Sequence, residues 1–181
     1  AQEIGVQLAE QSEMRNAMIF LQQYGISLAL GAKIYNQYGD TMYQVLQENP
    51  YKLAEDIQGV GFKIADEIAA KAGIAGNSEH RVRSGLFYVL AQATTEGHVY
   101  LPKQVLFGRG RDLLGVEEEL LEKCLMDLAI ERKVILKELP NASGQTRQIV
   151  YSSQYYYLEL NVARMLHDLN ISTPVKSQEI L

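Results

Sequence analysis

Two glycines separated by one apolar residue, Gly59-Val60-Gly61, stand between two helical stretches and limit what this chain can fold into more than any other feature. Glycine has no Cβ and tolerates positive φ, so the pair permits a turn too tight for most residues. Phe62-Lys63-Ile64-Ala65-Asp66-Glu67-Ile68 follows at helical spacing. The turn therefore sits at a helix N-terminus, where unpaired N–H groups and the positive end of the helix dipole both favour an anion. Val60 is expected to plug the seam between the two helices, Ala65 to leave room for their approach, and Ile68 to continue the apolar face. Lys63 adds a cation beside the turn.

The pattern h-x-G-h-G-x-x-x-A-x-x-I, with a helix over 50–57 before it, resembles the helix-hairpin-helix motif, which binds the DNA backbone without reading base sequence. A tight interhelical turn that serves packing alone fits the same residues. A dinucleotide site fits poorly, because Ile64 stands where G-x-G-x-x-G has its third glycine and no strand precedes the turn.

The same features occur 34 residues earlier. Gly25 answers Gly59, Ile26 answers Val60, Gly31 answers Ala65, Ile34 answers Ile68 and Gly39 answers Gly73. The first 75 residues therefore read as two helix-hairpin-helix units in tandem. Ser27 replaces the second glycine, so the first hairpin is expected to be structural. Gly39 and Gly73 suit left-handed C′ positions, Asp40 an N-cap for a helix over 41–47, and Asn49-Pro50 the start of the next. Residues 1–14 are polar and mixed, with partial order expected at best, and 15–24 form a helix ended by Gly25.

A turn cluster at 75–78 is the expected domain junction. Beyond it, a helix carries Val82, Leu86, Val89, Leu90 and Ala93 on one face and Arg81 and Arg83 on the other, and Gly97 stops it. A short extended piece over 98–101 leads to Pro102 and a basic stretch with Lys103, Arg109 and Arg111. Gly108 and Gly110 leave open whether 107–111 is helix or loop, and either form is expected to bring two guanidiniums close. A helix over 116–132, strands over 133–138 and 147–151, and a last helix over 153–169 follow. That last helix begins with Tyr155-Tyr156-Tyr157, of which one is expected in the core. The expected fold class is mainly α: a tandem helix-hairpin-helix bundle over 1–75, a winged-helix-like unit with a small two-stranded hairpin over 76–172, and a linker over 173–181.

The net charge of −5 argues against a surface devoted to neutralising phosphate. Residues 1–75 hold 5 basic against 9 acidic residues, a net of −4. A DNA contact there must rest on backbone donors with Lys63 nearby. Cys124 falls on the apolar face of its helix and reads as a small buried hydrophobe. No G-x-x-x-x-G-K-[ST] occurs, and His80, His98 and His167 stand at no metal-site spacing, so no catalysis, cofactor or metal is expected. No run of eighteen apolar residues occurs, and no membrane association is expected.

Asn49, Pro50, Tyr51, Leu53, Ile57, Gly59, Val60, Gly61, Phe62, Ala65, Asp66, Ile68 and Ala69, then Arg81 and Gly97 to Pro102, together resemble the region upstream of the motor in RecD-like helicases of the RecD/TraA family, often described as exodeoxyribonuclease V alpha chain. The resemblance implies a non-catalytic, DNA-binding or strand-guiding accessory region of a cytoplasmic 5′–3′ helicase acting in recombination and repair. ATP and magnesium would bind in the parent's motor, outside this chain. Gly59, Val60, Gly61 and Lys63 carry over as DNA-contacting positions, with Lys103, Arg109 and Arg111 as a possible second set. The implied partners are the DNA backbone, the motor domains and partner subunits; a protein-docking scaffold is the competing reading.

Overall fold

The computed structural model describes the backbone of residues 2–140 and 144–171, and the side chains of 12–140 and 144–169. The chain is mainly α-helical with one small antiparallel sheet, and it divides into two compact units. The first holds the chain up to Tyr88 with Leu113–Val116; the second holds Val89–Asp112 and the chain from Glu117. The turn at 75–78 lies inside the first unit.

The first unit opens with α1, Gln2–Gln23, a continuous helix where only partial order was expected. It stops where Gly25 takes φ +73, a region costly for side chains with a Cβ. Helix α2, Leu28–Tyr38, then packs back on α1. A Cβ at Gly31 would stand 3.1 Å from the Met18 sulfur and 3.3 Å from Leu21, so this glycine serves close helix approach. A 3₁₀ turn over Gly39–Thr41 leads into α3, Met42–Glu48. Asp40 lies within that turn and does not cap a helix. Gly39 has positive φ, but its ψ of −133° lies outside the left-handed helical region, and the chain passes straight into the 3₁₀ turn.

Helices α4, Lys52–Asp56, and α5, Phe62–Lys71, complete the second hairpin. Gly73, with φ +77, closes α5 from the C′ position, and the Ile74 amide reaches back to the Ala69 carbonyl. Leu21, Ile26, Ile34, Met42, Leu46, Leu53, Val60 and Ile68 form one buried cluster, so both hairpins contribute to a single core. Helix α6, Glu79–Thr95, follows. All five residues of its expected apolar face are buried.

In the second unit, β1 (Tyr100–Pro102) leads to α7 (Lys103–Leu114), α8 (Glu118–Ile130), β2 (Val134–Pro140), β3 (Thr146–Ser152) and α9 (Ser153–Ile171). The sheet has three strands in the order β1-β3-β2, all antiparallel, rather than two. The extended piece after α6 pairs with β3, setting Leu101 beside Val150. Both are buried, as are Leu121, Cys124, Leu125 and Leu128 of α8, the helix that packs against β2. Stretch 107–111 is helical within α7 despite its glycines, since Leu106 and Phe107 are buried. None of Tyr155, Tyr156 and Tyr157 is fully buried. Tyr156 packs on Tyr151, whose phenol is pushed up to about 12 by burial and by its hydrogen bond to Glu159. Farther along α9, Leu158, Val162, Met165, Leu166 and Leu169 are 48–65 % exposed. The expected linker over 173–181 and residues 141–143 of the β2–β3 turn lie outside the described residues.

Candidate nucleic-acid interface

The second hairpin turns within four residues. Ile57 ends α4, and the Val60 amide donates to the Ile57 carbonyl at 3.1 Å. Gly59 has φ +96 at the third position of that turn, where a type II geometry calls for glycine. Val60 points inward and is buried.

Gly61 is different. It is the N-cap of α5 with φ −101 and ψ 174, a conformation open to any residue. A Cβ built on it meets nothing within 4 Å. Neither backbone strain nor a protein neighbour requires glycine there, and the space beside the helix N-terminus is open. No side chain caps the helix, so the amides of its first turn face that space unshared. Lys63, in the first turn of α5, is exposed and makes no ion pair among the described residues. Gly59, Val60, Gly61 and Lys63 thus come together as the sequence suggests, with Val60 as the plug and the other three at the surface.

The first hairpin repeats the backbone but not the open N-terminus. Ser27 occupies the N-cap with φ −66 and ψ 156, and its Oγ accepts from the Leu30 amide at 3.3 Å. The hydroxyl takes a donor that an incoming anion would need. Lys71 also reaches this turn, its Nζ donating to the Tyr24 carbonyl at 3.1 Å.

Helix α5 is held by a network not visible as a motif. Tyr51 donates to Asp66 Oδ1 at 2.6 Å, and Arg81 closes on the same carboxylate from α6. The remaining Arg81 donors reach the Gly76 carbonyl at 2.9 Å and the Leu114 carbonyl at 2.8 Å. Burial works against the Asp66 charge, but hydrogen bonds from Arg81 and Tyr51 hold its carboxyl below the usual range. Burial and the Asp66 contact raise the Tyr51 phenol well above its ordinary value. Phe62 stacks between Tyr51 and Tyr88, with ring centroids 6.0 and 5.3 Å away. Arg81 is therefore a packed structural residue and not part of a solvated face with Arg83. The signal that could have found the network is the resemblance itself, which includes Tyr51, Phe62, Asp66 and Arg81.

The family model described as the ATP-dependent RecD2 DNA helicase HHH domain matches residues 10–100, which take in both hairpins, the Asp66 network and all of α6. The chain belongs to the RecD2 helix-hairpin-helix family. Within a RecD2 helicase such a region is an accessory domain.

The three basic residues expected as a second set beyond the RecD2 match are each held in an ion pair. Lys103 pairs with Glu122 at 2.6 Å, Arg109 with Glu96 at 2.9 Å and Arg111 with Glu118 at 3.4 Å. Residues two apart on a helix point to nearly opposite sides, so Arg109 and Arg111 do not share a site. Among the described residues no three His, Cys, Asp or Glu side chains gather as a metal site, and no helix is long and apolar enough to cross a membrane.

Proposed function

We propose that the second hairpin of this RecD2 region binds the DNA backbone, with a phosphate at the amides following Gly61 and Lys63 beside it, and that it guides the strand for a 5′–3′ motor acting in recombination and repair. The observation that carries this is Gly61: a glycine at an unstrained, unobstructed N-cap leaves room only for something arriving from outside. Affinity from one backbone site in an acidic chain is weak and salt-dependent. ATP and magnesium serve the parent's motor, and the cytoplasm is where such a helicase would meet DNA. The order α6, β1, α7, α8, β2, β3 supports a winged-helix-like second domain. The first turn of α8 carries Glu118 and Glu119, which makes that helix a poor one for a DNA groove.

Fluorescence anisotropy of labelled DNA with a single-strand tail tests this reading. Wild type should bind more weakly as salt rises, and Gly61→Asp, which the backbone accommodates, should bind less. Equal affinity of a folded Gly61→Asp would overturn the reading.

A second reading, a scaffold that docks a partner subunit or the motor domains, is favoured by the exposed apolar stripe of α9. It calls for protein binding that salt barely changes and for no DNA binding.

A further inference from the structure

The second unit contains a groove separate from the hairpins. Two adjoining depressions of about 390 and about 510 Å³ share Pro102, Val105 and Arg147. His98, Tyr100 and Arg109 line the first, and Lys103 lines the second. In a chain of net charge −5, neither has an Asp or Glu among its described lining residues. Arg147, common to both, stands exposed on β3 and makes no ion pair among the described residues. The carboxylates nearest the other two cations are their partners: Arg109 and Glu96 are 38 % and 48 % exposed, and Lys103 and Glu122 25 % and 42 %, with the Lys103 ammonium also over the Phe107 ring. Pairs that open to water hold weakly, and a phosphate oxygen can take the carboxylate's place.

We propose that this groove takes a segment of single-stranded DNA, with phosphates on Arg147, Lys103 and Arg109 and a base against Tyr100. Cations that follow a backbone beside an aromatic ring make a single-strand site, whereas a duplex offers no base face to that ring. Lys103, Arg109 and Arg147 all lie beyond the matched residues 10–100, so the groove adds to the RecD2 region a contact that the hairpin does not supply. The proposal rests on the reading of this chain as DNA-binding.

The test is anisotropy of labelled oligothymidine and of a blunt duplex with the whole chain. Wild type is compared with Arg147→Ala, Lys103→Ala/Arg147→Ala, Gly61→Asp and, as a control cation outside the groove, Arg111→Ala. Arg147→Ala should weaken oligothymidine binding several-fold and lower the slope of log K against log salt by about 0.7. The double variant should lose about twice that slope, and Arg111→Ala should change neither quantity. Iodouracil placed in the strand should cross-link to Tyr100. If Gly61→Asp weakens binding while both groove variants match wild type, the groove fails and the hairpin reading stands. If Arg111→Ala costs as much as Arg147→Ala, or the loss appears on duplex alone, the groove is likewise overturned. No DNA binding by wild type would overturn both.

Discussion

Arg81 grips Asp66 with two hydrogen bonds, Nε to Oδ1 at 2.8 Å and Nη2 to Oδ2 at 3.1 Å, and so ties the helix after the second hairpin to the start of α6. The same carboxylate also receives the Tyr51 hydroxyl, so removing it leaves three donor groups unmatched. Asp66→Ala should cost about 2 kcal/mol, less than a fully buried pair because the Asp66 side chain is 28 % exposed. Urea unfolding monitored by circular dichroism measures this, and a loss below half that size would show the network to be dispensable.

The same carboxylate sets an acid limit. Its folded pKa lies below the ordinary value, so its contribution is fully present above about pH 4 and is lost as pH falls through the depressed folded value. The difference in melting temperature between wild type and Asp66→Asn should therefore shrink as pH drops below about 4. A difference that stayed constant down to pH 2 would remove Asp66 from the acid response.

Gly59 and Gly61 should separate under alanine substitution. At φ +96 an alanine in place of Gly59 should cost about 1–2 kcal/mol of stability. Gly61→Ala should leave stability nearly unchanged, since its φ of −101 suits alanine and the added Cβ meets nothing. Its effect should appear in DNA affinity instead. Paired melts and titrations of the two variants decide the matter, and equal loss of stability would contradict the geometry.

Arg132, just past α8, holds φ +58 without being glycine. The Lys133 amide reaches back to the Leu128 carbonyl at 2.9 Å, the closure of a helix that normally ends on glycine. Arg132→Gly should raise stability by about 0.5–1 kcal/mol, the left-handed penalty less the entropy cost of glycine. A lower denaturation midpoint for this variant would refute that balance.

Ser27 offers the reciprocal experiment at the first hairpin. Ser27→Gly should give up a helix cap at a cost of a few tenths of a kcal/mol while uncovering the Leu30 amide. Anisotropy on duplex and tailed DNA should show affinity unchanged or higher than wild type, and a marked loss would mean that the hydroxyl itself touches the ligand.

The sequence made local features legible. Glycine chemistry and helical period placed both hairpins, the plugs Ile26 and Val60, the face of α6 and the core of α8, because each depends on neighbours a turn away. What it hid was non-local. The Arg81–Asp66 bond spans fifteen positions and depends on how α5 meets α6, so Arg81 reads as a surface residue on its own helix. Pairing of 100–102 with β3 crosses two helices, and a three-residue strand gives little periodicity. Gly108 and Gly110 lower local propensity in α7, but burial of Leu106 and Phe107 outweighs it. On α9 the apolar stripe is visible at helical spacing, yet spacing alone does not say whether that stripe faces a core or solvent.

Ser27 and Gly61 stand at matching places in a duplicated architecture whose two halves share one interior. Ile26 belongs to that interior as much as Val60 does, so the first hairpin cannot be deleted without opening the core that the second one shares. If the second hairpin alone meets DNA, as proposed, the first is spared for recognition and still needed for folding. A shortened domain built on the second hairpin alone would keep the Gly59–Gly61 turn and lack the core that holds it.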